Sequence, residues 1–149
     1  MATIRKEMTL RANPAEVWDA IRDVGAIHTR LAPDFVADVK LEADARIVTF
    51  RNGLVVKELI VDLDDAARRL VWAAVSPRLQ HHNGSLQVFG ADNGCRIVWI
   101  ADILPHEAKP TIDGMMQQGM DAMKKKLEAD ARAYSGEVDA GSPPRICAG

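Results

Sequence analysis

From residue 35 to residue 104 the chain alternates polar and apolar residues in six runs, then switches once to a helical period kept for about 25 residues. That single switch leaves few folds open. A sheet built from those runs has a face to cover, and one rod of roughly 37 Å is the only large element able to cover it. A rod laid in a strongly curved sheet touches it along a line, so space remains beside the line. Such concave, mostly apolar spaces are where small molecules usually bind.

Thr3 to Arg11 alternates with Ile4, Met8 and Leu10 on one face, predicting a first strand. Asn13-Pro14 ends it and starts a helix, Asn as the cap and Pro at the first helical position, with Val17, Trp18 and Ile21 as its apolar stripe. Gly25 closes that helix, and a second short one is predicted from Ala26 to Leu31. Strands follow over Phe35–Glu42, with Phe35, Ala37, Val39 and Leu41 on one face, and over Arg46–Arg51 and Leu54–Leu63. Asn52-Gly53 between the last two predicts a two-residue type I′ hairpin, which needs positive φ at both central positions. Three more strands are predicted over Arg69–Val75, His81–Phe89 and Cys95–Leu104. Pro105 stops the last one, and the long helix runs from about Lys109 to Tyr134 with Ile112, Met116, Gly119, Met123 and Leu127 on one stripe. The fold class expected is α+β, a curved antiparallel sheet of about seven strands around one long C-terminal helix. Residues 3–134 form one domain in this reading, and the Ser-, Gly- and Pro-rich stretch 135–149 is expected to be a disordered tail.

Composition excludes several function classes. A chain of 149 residues with a net charge of −2 has no basic footprint for nucleic acid. No apolar run reaches the ~20 residues needed for a membrane helix, and Met1 to Leu10 is too charged for a signal peptide, so a cytoplasmic protein is expected. Cys95 and Cys147 are read as free thiols, since a lone pair without a secretion signal seldom bridges. Neither has a partner at metal-ligand spacing. There is no Gly-x-Ser-x-Gly elbow, no Gly-rich phosphate loop and no His-Glu-x-x-His site, and neither a cofactor nor a metal is expected.

The opening from Ile4 through Ala12-Asn13-Pro14-Ala15-Glu16-Val17-Trp18 resembles that of the START/Bet v 1-like superfamily (SRPBCC). The series Asn52-Gly53, Lys57-Glu58-Leu59, Leu63-Asp64-Asp65, Arg68-Arg69-Leu70 and Val98-Trp99 is similar to the polyketide cyclase/dehydrase-like branch. The resemblance spans residues 3–134 and implies a helix-grip fold that binds a hydrophobic or lipid-like molecule. Two loops also resemble the ligand-gating loops of plant abscisic acid receptors. Asn52-Gly53-Leu54 is similar to their Ser-Gly-Leu-Pro gate, and Pro77-Arg78-Leu79 to their His-Arg-Leu latch. Val55 stands in place of the gate proline and Pro77 in place of the latch histidine, so the likeness implies a shared pocket entrance near Leu54 and Arg78, not a shared ligand.

Glu58 is the most informative candidate. It shares a strand face with Val56 and Ile60, and the resemblance assigns that face to the cavity. The opposite face, with Val55, Leu59, Val61 and Leu63, is the more apolar one, which would send Glu58 to solvent. Lys6 interrupts the inner face of the first strand and either points inward as a cation for Glu58 or snorkels outward. His81 and His82 point to opposite faces, and His82 follows the latch-like loop, so His82 is the one expected in the pocket. Trp72, Trp99 and Leu86 are expected to supply apolar wall, with Phe35 and Val39 beside them. Met116, Gly119, Met120 and Met123 form the helix side, where methionine adapts to irregular shapes.

The expected function is binding or carriage of a small hydrophobic, aromatic or lipid-like molecule in a cavity of several hundred Å³, within the usual ~300–1,000 Å³ of ligand sites. One alternative is a polyketide cyclase/dehydratase-type enzyme without a cofactor, using Glu58 and His82 for proton transfer. Another is a homodimeric interaction module joined through Val55, Leu59 and Val61.

Overall fold

The structure is a computed structural model that describes residues 2–139; residues 140–149 of the expected tail, with Cys147, lie outside those residues. Seven strands form one antiparallel sheet: β1 (Ala2–Leu10), β2 (Val36–Glu42), β3 (Ala45–Phe50), β4 (Val55–Asp64), β5 (Arg69–Val75), β6 (His81–Ala91) and β7 (Gly94–Leu104). Their order is β1-β7-β6-β5-β4-β3-β2, a meander with β1 brought back beside the last strand. Helix α1 (Pro14–Arg22) and helix α2 (Lys109–Asp139) pack on the concave side. Where a second short helix was expected, residues Ile27–Leu31 form one π-helical turn.

Local chemistry accounts for the element ends. The Asn13 side chain accepts a hydrogen bond from the Ala15 amide at 2.8 Å, and Pro14 opens α1. α1 is tied to the β4–β5 turn by Trp18, whose Nε1 donates to Asp65 Oδ1 at 2.9 Å, and by Arg22, whose Nε donates to the same oxygen at 2.8 Å. α2 continues past Tyr134, the expected end, to Asp139.

Two strands carry one extra residue each, and each changes which side chains face inward. The bulge in β4, between Ile60 and Asp62, turns Leu63 to the concave side opposite Leu70, away from the face it was expected to share with Val55, Leu59 and Val61. The bulge in β2, between Val36 and Asp38, brings Val36 to the core opposite Phe50. The hairpin between β3 and β4 differs from expectation as well. Only Gly53 has positive φ, 91°, and the Gly53 amide donates to the Phe50 carbonyl at 2.9 Å. This is a three-residue loop, Arg51-Asn52-Gly53, with glycine at its left-handed position. On the convex face Val55, Leu59, Val61 and Val75 stay exposed.

The core fills the space between sheet and helices, from Val17, Trp18 and Ile21 to Ile97 and Leu127, with a second cluster of Ile4, Ala101, Ile103, Ile112 and Met116 nearer the start of α2. Cys95 is fully buried among these side chains, and burial pushes its thiol up to about 11. Trp72 lies over the backbone of Gly84 on the neighbouring strand. A Cβ at Gly84 would stand 2.5 Å from the Trp72 ring. Gly84→Ala is therefore expected to destabilise the protein by about 1–3 kcal/mol, as overpacking does. Gly90→Ala, on the same strand with open space around its Cα, is expected to change little. Urea unfolding of both variants measures the difference, and equal stabilities would contradict this packing.

Candidate active site

Between the concave face, the π-helical turn and α2 lies a cavity of about 90 Å³. Trp72, Leu86 and Trp99 form its sheet wall, while Ile112, Met115, Met116, Gly119 and Met123 line it from the helix. Ile27, Leu31, Ala32 and Phe35 close one side, and Val36, Val48 and Phe50 complete it from β2 and β3. The volume falls well short of the several hundred Å³ expected. Large aromatic side chains take up much of the wall: the Trp72 and Trp99 rings stand with centroids 6.2 Å apart, and Phe35 and Phe50 meet edge to face at 5.1 Å. Gly119 permits this crowding, because a Cβ there would approach Trp99 to 2.8 Å and Phe35 to 3.1 Å.

The polar part of the wall is an ion pair. Arg46 Nε donates to Glu58 Oε1 at 2.8 Å, with side-chain exposures of 4% and 11%. Arg46 Nη1 donates to the Val24 carbonyl at 3.2 Å, and its guanidinium carbon lies 5.5 Å from the Trp72 ring centroid, within cation–π range. The three-residue loop sets this pairing by placing Arg46 directly opposite Glu58. A two-residue loop would have put Arg46 opposite Leu59 and left Glu58 on the other face. Glu58 therefore faces the cavity, and the more apolar face of β4 is the convex one.

His82 also lines the cavity, half-buried. Burial, and after it the neighbouring His81, hold its imidazole below the usual histidine range, so it is neutral at pH 7. β5 lies between Glu58 on β4 and His82 on β6, and two strand spacings make roughly 10 Å between their backbones. Trp99 Nε1 is buried without a partner among the described residues.

Of the residues expected at the site, the structure gathers Phe35, Glu58, Trp72, His82, Leu86, Trp99, Met116, Gly119 and Met123 around one cavity. Six others lie elsewhere. Lys6 is on the inner side of β1, but its Nζ donates to Asp113 Oδ1 of α2 at 2.8 Å, and the cation beside Glu58 is Arg46. Val39 and Val56 both pair with Val48 from the two neighbouring strands, on the concave side but outside the cavity walls. Leu54 belongs to the hairpin end, its amide bonded to Asn52 Oδ1 at 2.9 Å. Arg78 is exposed, so neither gate-like loop brings its named residue to the cavity. Met120 is buried in the core beside the cavity, and Met115, five residues earlier on α2, takes a wall position. Arg46 was missed because its role depends on the loop type. Its sequence signal was the alternation Arg46, Val48, Phe50, which puts an arginine on the more apolar face of β3. Among the described residues no group of three His, Cys, Asp or Glu could hold a metal ion, and no helix is long and apolar enough to cross a membrane.

Residues 1–128 match the model of a family described as polyketide cyclase / dehydrase and lipid transport. Solved structures share the fold. The XoxI protein of Bacillus cereus is 19% identical with a TM-score of 0.76, over 85% of this chain and 96% of its own. A Thermobifida fusca protein is 29% identical with a TM-score of 0.70, over 85% and 93%. The di-domain ARO/CYC protein BexL of the BE-7585A biosynthetic pathway is 14% identical with a TM-score of 0.73, over 86% of this chain and 47% of its own. No curated protein matches the chain by sequence.

A buried pair of this kind is more costly to break than to replace. Arg46→Met alone strands a carboxylate, and Glu58→Leu alone strands a guanidinium, so each single variant is expected to lose about 3–5 kcal/mol. The double variant is expected to lose far less than the sum. A double-mutant cycle from urea unfolding measures this, and additive losses would show that the two groups do not depend on each other.

Proposed function

The chain belongs to the polyketide cyclase/dehydrase and lipid transport family, and from that premise we propose that it binds a small hydrophobic or aromatic molecule in the cavity under α2. The observation that supports this most is the cavity itself, lined by aromatic rings and flexible methionines, with its few charged and titratable groups gathered on one wall. Apolar walls supply affinity in such sites, and a few placed polar groups supply orientation. The volume sets the scale. At about 90 Å³ it is smaller than the ~150 Å³ of an apolar cavity that accepts benzene. One ring is thus the size that fits with modest movement of Met115, Met116 and Met123, whose unbranched side chains adapt readily.

Catalysis by Glu58 and His82, the cyclase/dehydratase reading, has less support. Both groups line the cavity, and a neutral His82 suits proton transfer. Yet Glu58 is engaged by Arg46, and a strand lies between the two candidates.

A ligand that binds only the folded state raises stability. Toluene near its solubility limit is expected to raise the Tm of the protein. It is expected to leave Val48→Phe unmoved, since that substitution adds a ring to the cavity wall. An unchanged Tm for the unmodified protein, or the same rise in both, would overturn the cavity as the binding site.

A further inference from the structure

We infer that the cavity selects neutral one-ring phenols, the hydroxyl donating to Glu58 and accepting from Arg46; this rests on the cavity-binding reading above. The charges at the wall decide the class. Arg46 and Glu58 cancel, and His82 is held neutral by burial. The site is therefore neutral as a whole and offers no counter-charge to a ligand. An ionised ligand would enter a buried, apolar space with its charge unmatched, which costs far more than burying a hydroxyl that finds partners.

The free atoms decide the functional group. Arg46 uses Nε for Glu58 and Nη1 for the Val24 carbonyl, and no acceptor among the described residues engages Nη2. Glu58 uses Oε1 for Arg46, and no donor among the described residues engages Oε2. The pair thus leaves Arg46 Nη2 as a donor and Glu58 Oε2 as an acceptor without a partner among the described residues, and a hydroxyl is the smallest group that offers a partner to both. A ketone or ether would leave the carboxylate oxygen without a donor, and an aromatic hydrocarbon would leave both groups unpaired. The walls decide the rest of the molecule. Trp72 stands within cation–π range of Arg46, with Trp99 6.2 Å from Trp72, so a ring placed between pair and helix lies beside two aromatic side chains. A purely structural pair would not require this selectivity. Its bond to Val24 would anchor the segment after α1 whatever entered the cavity.

Calorimetric titration of the unmodified protein with phenol, toluene, benzoate and benzylamine tests the inference. Phenol is expected to bind at least tenfold more tightly than toluene, and benzoate and benzylamine at least tenfold more weakly than phenol. In the Arg46→Met/Glu58→Leu protein, phenol is expected to lose its advantage over toluene. Toluene binding as tightly as phenol in the unmodified protein overturns the inference and leaves the apolar cavity reading intact. Benzoate or benzylamine binding most tightly overturns the neutrality argument. If none of the four binds, the cavity reading falls together with the inference.

Discussion

A guanidinium and a carboxylate, joined at 2.8 Å and almost out of contact with solvent, sit on the concave face of the sheet with a cavity against them. Removing two charges from water costs several kcal/mol for each, and their attraction offsets this only when geometry and further hydrogen bonds are good. The surroundings supply those conditions. The β3–β4 hairpin puts the two residues directly opposite each other, the Val24 carbonyl takes a second guanidinium proton, and Trp72 presents its face to the cation. The pair in turn fixes the β3–β4 register and ties the segment after α1 to the sheet. A well-packed apolar pair would hold the same strands together, so holding strands does not explain why a charged pair faces free space.

The container is shaped by two glycines as much as by its large side chains. Gly84 lets the Trp72 ring lie against the neighbouring strand, and Gly119 lets Trp99 and Phe35 close against α2. With ordinary side chains at those positions the rings would be pushed into the space between sheet and helix. The cavity is small where the rings of two tryptophans make up its sheet wall. It is adaptable because the helix side is built from methionines, and its polar groups lie on the sheet side.

Much of the fold was legible from the alternation of residues. The seven strands, the Asn13-Pro14 helix start and the single long helix all follow from periodicity and punctuation, because those signals are local. What escaped was governed by single-residue shifts. Asn52-Gly53 was read as a two-residue turn, and the three-residue loop actually formed moves every β3–β4 partner by one, which turns Glu58 inward and puts Arg46 beside it. The bulge in β4 reverses Leu63 for the same reason, since a strand's side chains change face with each residue. Lys6 was left between an inward and an outward reading, because its partner Asp113 lies 107 residues away, beyond any local pattern. The cavity volume was not legible at all, because it depends on how far the two tryptophan rings reach into the space.

The central claim is that the space under α2 is a ligand site whose polar end is the Arg46–Glu58 pair. Methionine-methyl NMR during a phenol titration tests it most directly, because methionines mark both the cavity lining and a strand outside that lining. The account predicts saturable shifts at Met115, Met116 and Met123, with Met8 on β1 unmoved. Shifts that appear at Met8 while the three cavity methionines stay fixed, or a spectrum that phenol leaves unchanged throughout, would contradict it.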